Sequence, residues 1–287
     1  MRSGSIVQSK SNLREVWQFY MVTLTISWAI WVPSILYYTL THSPKIPPWL
    51  FVLGWLGVYG PTTSAIIMTW MGEGTRGVRN LLSRLLSWRV RARWYILVFL
   101  IPLTIRFFGL LLYSFVNRTP LGFDSSRLFL VIPTFLLAIP FGPMGEETGW
   151  RGYALPRLQA SLGDLHGSLA LGLLWVVWHI PGFFIPGLVL PPVPLEWHVV
   201  LNFLIRVFAI TFVFTWVYNR TGGSLLISVL FHAAFNALPG SLTLILFGQP
   251  TVADINWLTW LSAGLNWLLV ALLLYIERSH KTREQED

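Results

Sequence analysis

Long apolar runs limit what this chain can fold into more than any other feature of its sequence. A helix needs roughly 20 mostly apolar residues to cross a bilayer, and the sequence contains about eight such runs. Only 11% of the residues are charged, whereas soluble domains carry roughly 25%. We therefore predict an all-α, polytopic membrane protein with about eight transmembrane helices in one bundle. The predicted spans lie near residues 16–40, 48–71, 94–116, 127–145, 165–185, 197–218, 223–247 and 256–276.

The whole chain, residues 1–287, is predicted to form a single membrane domain, because it shows no internal repeat and no low-complexity linker. The first apolar run exceeds the roughly 7–15 residues of a signal-peptide core, so we expect it to remain as a span. The fourth run is irregular, and a more polar helix is expected to follow it over 146–161. The sequence has no cysteine, which excludes disulfides, thiol nucleophiles and Cys-ligated metals.

The basic residues are distributed unevenly between the two sides of the predicted bundle. With a cytoplasmic N-terminus, 15 of the 20 Lys and Arg residues fall in inside segments and 3 in outside segments. The positive-inside rule then predicts that both termini are cytoplasmic. Since no targeting sequence is recognisable, a prokaryotic plasma membrane is the expected location. Topology and anionic lipid explain the net charge of +8, so membrane lipid is an expected partner and nucleic acid is not.

Residues 74–93 combine six arginines with apolar residues at roughly helical spacing. One interpretation is an amphipathic helix that lies on the inner leaflet. The other is a basic loop that only fixes the topology, and the pattern leaves both open.

Ionisable side chains at membrane depth mark candidate functional sites, because each costs about 2.5–3.5 kcal/mol to insert. Glu147 and Arg151 are four residues apart and can pair on one helix face. Glu146 points about 100° away from that face and lacks the same partner. A carboxylate in such a position can take a proton from water. The alternative is an ordinary charged helix end at the cytoplasmic interface.

Two histidines extend this set. His179 ends an apolar run, and His232 and Asn236 lie four residues apart, so they face one side of their helix. Because polar groups in a membrane bundle pair with one another, we predict that these residues share a site with the carboxylates. Arg106 and Arg206 are weaker candidates, each expected to snorkel or to pair with a buried acid.

These residues, in this order, resemble the CPBP family of intramembrane proteases, which includes the type II CaaX prenyl endopeptidases and the bacterial Abi proteins. The family pattern is Glu-Glu-x-x-x-Arg, then Phe-x-x-x-His, then His-x-x-x-Asn. It begins here at Glu146, Trp175 and His232, and the corresponding protease core lies within about 127–247. Trp175 replaces the usual Phe, an aromatic exchange expected to preserve packing and to reshape the pocket.

The resemblance implies an endopeptidase that hydrolyses membrane-associated peptides or proteins, prenylated in the CaaX enzymes, with a water activated by Glu and His. By analogy, Glu146 is the general base and His179 its partner, while His232 and Asn236 stabilise the oxyanion. The remaining two residues of the motifs hold the site together. The full set of implied catalytic residues is Glu146, Glu147, Arg151, His179, His232 and Asn236.

Three alternatives stay open at this point. Glu146, His179 and His232 could form a three-ligand zinc site with an open position, although Asn is a poor zinc ligand and a Glu–His pair can activate water without metal. We therefore expect no metal and no other cofactor. The chain could also be a non-proteolytic bacteriocin-immunity or scaffolding protein of the same fold. A small transporter is disfavoured because no inverted repeat is visible.

Overall fold

The computed structural model describes residues 2–43, 47–189 and 195–286, with side chains in 12–43, 47–189 and 195–279. No strand occurs in those ranges, so the prediction of an all-α, polytopic membrane protein is confirmed. The helices are α1 (Arg2–Thr41), α2 (Pro48–Val58), α3 (Gly60–Ser83), α4 (Ala92–Asn117), α5 (Val131–Ala138), α6 (Pro143–Gly149), α7 (Leu155–His179), α8 (Trp197–Arg220), α9 (Leu225–Leu246) and α10 (Val252–Glu286). A π-helical turn, Trp150–Ala154, joins α6 to α7.

Six helical segments of the described chain are long and apolar enough to cross a membrane. In a bilayer such segments are helical because every backbone polar group must be bonded within the segment. A seventh span results if α2 and α3, bent by 44° relative to each other, are counted together. The predicted number of eight is not confirmed. The predicted span 127–145 is interrupted, since it consists of part of a short 3₁₀ helix, the eight-residue α5, a turn and the first residues of α6.

The chain reverses direction inside α7, at Gly163. Its backbone is non-helical there, with φ 78° and ψ 171°. A Cβ added at Gly167 would lie 3.0 Å from the backbone nitrogen of Gln159, although residues eight apart in a straight helix are about 12 Å apart. The two halves of α7 are therefore antiparallel, and the second half returns alongside α6. Both halves pack on α1, through Arg157 and Trp178.

Two glycines let α6 lie directly against the break between α2 and α3. A Cβ at Gly145 would lie 2.8 Å from the carbonyl oxygen of Val58, and one at Gly149 would lie 2.5 Å from that of Pro61. No larger residue fits at either position unless the backbone moves. The short helix that carries the two adjacent glutamates is thereby fixed between α3 on one side and α9 on the other.

The basic segment 74–93 is helical as far as Leu86 and irregular over 87–91, before α4 begins. Gly74 has a non-helical φ of 66° and separates a helical stretch that ends with a 3₁₀ turn at Leu86. Leu81 of this stretch is buried, whereas Trp88 beyond it is exposed. Arg84 is a structural residue, because its guanidinium donates hydrogen bonds to the carbonyl oxygens of Gly152 and Gly223. The helical interpretation thus holds for the first part of the segment.

Candidate active site

Glu147 is the buried hub of the site. Its Oε1 accepts hydrogen bonds from Arg151 Nη1 at 3.0 Å and from His232 Nδ1 at 2.8 Å. The side chains of Glu147 and Arg151 are completely inaccessible to solvent. The guanidinium carbon of Arg151 also lies 4.5 Å from the centre of the Trp175 ring and 5.0 Å from that of Phe214, which stabilises the cation. The pairing of Glu147 with Arg151 has the geometry expected from their spacing, while the bond to His232 was not anticipated.

Trp175 holds the neighbouring acid. Its indole Nε1 donates a 2.6 Å hydrogen bond to Oε2 of Glu146, and its backbone carbonyl lies 2.7 Å from Nδ1 of His179. One residue therefore positions both groups that the motifs suggest for water activation. The sequence analysis assigned Trp175 only a packing role. The signal that it missed is the indole N–H, a donor that Phe lacks.

The hydrogen-bond partners assign the tautomers of both histidines. A carbonyl and a carboxylate can only accept, so Nδ1 of His179 and Nδ1 of His232 each carry a proton. In the neutral form of each ring, Nε2 is then an acceptor. His232 can donate a hydrogen bond from Nε2 only when it is protonated, and the carboxylate of Glu147 stabilises that cation. This changes the simple oxyanion-donor role that the resemblance implied for His232.

A cavity of about 180 Å³ opens beside these groups, more than tenfold the space that one water occupies, about 10–15 Å³ on this measure. Glu146, His179 and His232 lie on its wall, with exposed fractions of 5%, 9% and 5%. Asn236 is exposed into the cavity. The structure thus brings together all six residues of the motifs. Four of them line the cavity, and Glu147 and Arg151 lie behind its wall.

Gly142 marks the point where the acid and the amide converge. A Cβ at this position would lie 3.5 Å from Nδ2 of Asn236 and 3.6 Å from Oε1 of Glu146. The backbone of Gly142 has a φ of 127°, a conformation that only glycine adopts readily. The free carboxylate oxygen of Glu146 and the amide donor of Asn236 therefore border the same small space.

Among the described side chains, Arg106 and Arg206 do not form the pair with a buried acid that was one of the two expectations from the sequence. Both line the cavity.

The arrangement of the described residues gives no independent support for the zinc alternative. Within the described part of the chain, no group of three or more His, Asp and Glu side chains is arranged to hold a metal ion. Nδ1 of His232 is bonded to Glu147 and one oxygen of Glu146 to Trp175, which leaves Nε2 of His232 and the other oxygen of Glu146 as acceptors.

Comparison with known proteins points to the same part of the chain. Residues 127–238 match the family described as "Type II CAAX prenyl endopeptidase Rce1-like". This segment is Rce1-like. Over 118 residues the chain is 30% identical to CAAX prenyl protease 2 of Methanococcus maripaludis. The alignment covers 40% of this chain and 42% of that relative, so the chain spans less than half the length of the protein it matches.

The Rce1-like segment runs from the 3₁₀ turn before α5 into α9 and contains all six residues of the motifs. The resemblance drawn from those motifs is thereby confirmed for this segment. Helices α1 to α4 and α10 lie outside it, although α1, α2, α4 and α10 contribute residues to the cavity wall.

Proposed function

We propose that this protein is an intramembrane endopeptidase that hydrolyses peptide bonds of membrane-associated substrates through a water activated by Glu146 and His179. The observation that carries the proposal is the buried Glu146 carboxylate on the cavity wall, fixed through one oxygen by Trp175, with His179 on the same wall. The Rce1-like match over the same residues supports the reaction class.

The first step is the activation of water. Trp175 occupies Oε2 of Glu146, which leaves Oε1 as the free acceptor. Nε2 of His179 is a second acceptor, because its Nδ1 proton is directed to a backbone carbonyl. A water that donates one hydrogen bond to each acceptor presents its lone pair to the substrate carbonyl. Transfer of a proton from this water to Glu146 generates the nucleophile, whose oxygen bonds to the substrate carbonyl carbon. When the C–N bond of the tetrahedral intermediate breaks, Glu146 passes the proton to the leaving amine nitrogen.

The second step is the stabilisation of the tetrahedral oxyanion. Asn236 offers an uncharged amide donor inside the cavity, and removal of such a donor costs about 2.7–4 kcal/mol of transition-state stabilisation in known hydrolases. His232 can add a donor once it is protonated. Glu147 stabilises that cation, and Arg151 balances the charge of Glu147 when His232 is neutral.

The proposed substrates are peptides that end in a prenylated cysteine followed by three residues. The relative's name, CAAX prenyl protease 2, supports this class, since the CaaX sequence is the signal for prenylation of its cysteine. A cleft inside a membrane bundle suits a substrate anchored by a lipid chain. A plasma-membrane location with both termini in the cytoplasm stays a prediction.

The test is cleavage of a quenched, farnesylated CaaX peptide by purified protein in liposomes. Glu146→Gln should lower kcat by about 10²–10⁴-fold, the usual contribution of a general base, without loss of folded protein. Glu73→Gln is the matched control, because that side chain is 57% exposed and lies outside the cavity. Full turnover by Glu146→Gln would remove the assignment of the base.

A second measurement covers the case in which the chosen peptide is not a substrate. Quantitative terminomics would compare new protein termini in cells that make the wild type or Glu146→Gln at matched membrane levels. Termini present only with the wild type would identify substrates. If the two proteins give the same termini and the peptide is not cut, the scaffolding alternative replaces the protease.

A further inference from the structure

Two arginines line the cavity from helices that carry none of the three motifs. Arg106 belongs to α4 and Arg206 to α8. Nε and Nη1 of Arg106 and Nε of Arg206 are buried and make no hydrogen bond. An arginine at membrane depth costs about 2.5–3.5 kcal/mol and normally pairs. In the described part of the chain these two have no acidic partner.

The arginines carry a surplus of positive charge into the cavity. They are close enough for the charge of Arg206 to act on Arg106. Glu146 is the one acid on the cavity wall among the described residues, and the charges that act on it are those of His232, Glu147 and Arg151. The arginine pair is therefore not the counter-charge of the catalytic acid. Two like charges facing one cavity favour an anionic ligand between them.

The distance from the arginines to the reacting groups can be bounded through Phe203. Its ring centre lies 5.0 Å from that of His179 and 5.8 Å from the guanidinium carbon of Arg206. Arg206 is therefore at most about 11 Å from His179. Three extended residues span about 10–11 Å, so the peptide that follows the cysteine in a CaaX sequence is long enough to reach from His179 to Arg206.

We propose that Arg106 and Arg206 bind the C-terminal carboxylate of the substrate peptide, and so fix the scissile bond three residues away at Glu146. This inference rests on the proposed function. Guanidinium groups bind carboxylates with two parallel hydrogen bonds. Binding of the terminal carboxylate would fix the distance between the chain end and the catalytic groups. The enzyme would then cut three residues from the chain end, whatever the side chains of those three residues.

The anionic oxygens that this site recognises could also be those of a lipid phosphate, and the experiment separates the two sources. Two farnesylated peptides of identical sequence would be used, one with a free C-terminal carboxylate and one with a C-terminal amide. Wild type should cleave the acid with a kcat/KM about 10–100-fold above that for the amide, as expected for hydrogen bonds to a charged group. In Arg106→Gln and in Arg206→Gln, kcat/KM for the peptide with the free carboxylate should fall to the value for the peptide amide. The kcat/KM for the amide itself should change little.

Arg118→Gln is the control, because Arg118 is exposed and lies outside the cavity. Equal cleavage of acid and amide by the wild type would overturn the proposal. A loss in the variants that is equal for both peptides, and that disappears in vesicles of phosphatidylcholine alone, would overturn it in favour of a lipid phosphate. Two separate single variants keep the test valid if one of them does not fold.

A binding arm separates this inference from the proposed function. Affinities of the two peptides for Glu146→Gln, and for Glu146→Gln combined with Arg206→Gln, would be measured by fluorescence anisotropy in nanodiscs. A preference for the acid in the first and its loss in the second support the carboxylate site, even if the wild type cuts neither peptide. Equal affinity of the first protein for acid and amide refutes the site, whatever the outcome for cleavage.

Discussion

The hydrogen bond from Trp175 to Glu146 can be removed with a change of one residue. Trp175→Phe keeps an aromatic ring between Arg151 and His232 but deletes the N–H that holds Oε2 of Glu146 at 2.6 Å. Phe is also the usual residue of the family motif at this position. The variant therefore tests whether catalysis by this protein depends on the hydrogen bond from Trp175 to Glu146, which a Phe at this position cannot form.

The expected size of the effect follows from the type of bond. A hydrogen bond to a charged group contributes about 1.5–3 kcal/mol, and each 1.36 kcal/mol changes a rate tenfold. If the bond fixes the carboxylate for proton transfer, kcat should fall by about 10–100-fold. KM should change little, because the deleted N–H is bonded to Glu146 and is not free to bind the peptide. Trp175→His, which returns a ring N–H, should recover part of the loss.

The assay is turnover of the farnesylated peptide in liposomes, with thermal unfolding as a measure of folding. The matched control is Trp216→Phe, which also deletes a hydrogen bond between an indole and a carboxylate, here that of Glu277 at 3.1 Å. Trp216 does not line the cavity, so only stability should change. A kcat for Trp175→Phe within about twofold of wild type would refute the positioning role.

Three further outcomes are expected. Asn236→Ala should lower kcat by about 10²–10³-fold and leave the unfolding temperature unchanged; a variant that turns over normally would end its assignment as an oxyanion donor. Glu147→Gln should lower the free energy of unfolding by about 3–5 kcal/mol, because Arg151 is left as a buried charge. The half-exposed pair of Glu15 and Arg157 is the comparison, since Glu15→Gln should cost about 0–1 kcal/mol in the same denaturation assay. Dialysis against a chelator should leave turnover unchanged, and activity that is lost and then restored by zinc would show that a metal acts.

Helical spacing predicted the local parts of the site and could not predict its long-range parts. The pairing of Glu147 with Arg151 and the shared face of His232 and Asn236 follow from a separation of four residues. The bond between His232 and Glu147 joins residues 85 apart in the chain. It depends on how α9 packs against α6, and the periodicity of a sequence carries no information about the packing of distant helices.

The span count shows a related limit. Hydropathy detects the length of apolar runs. It predicted one helix over 146–161 and a separate run that begins near 165, and the structure reverses direction between them at Gly163. It could not detect that the stretch 127–145 is interrupted, since the hydropathy of a broken helix equals that of a continuous one. The lack of an acidic partner for Arg106 and Arg206 in the described part of the chain could not be predicted either, because hydropathy does not indicate whether an acid lies nearby.

The double contact of Trp175 has a mechanical consequence. Its side chain holds the base and its carbonyl holds the imidazole of His179, so a tilt of the second half of α7 carries both groups together. Small movements of the helices relative to one another should then leave the distance between the Glu146 carboxylate and the His179 imidazole nearly unchanged. Among the described side chains, Asn236 on α9 is linked to this pair by hydrogen bonding only through the bond between His232 and Glu147, so a substrate that separates α9 from α7 would displace the proposed amide donor and leave Glu146 and His179 together.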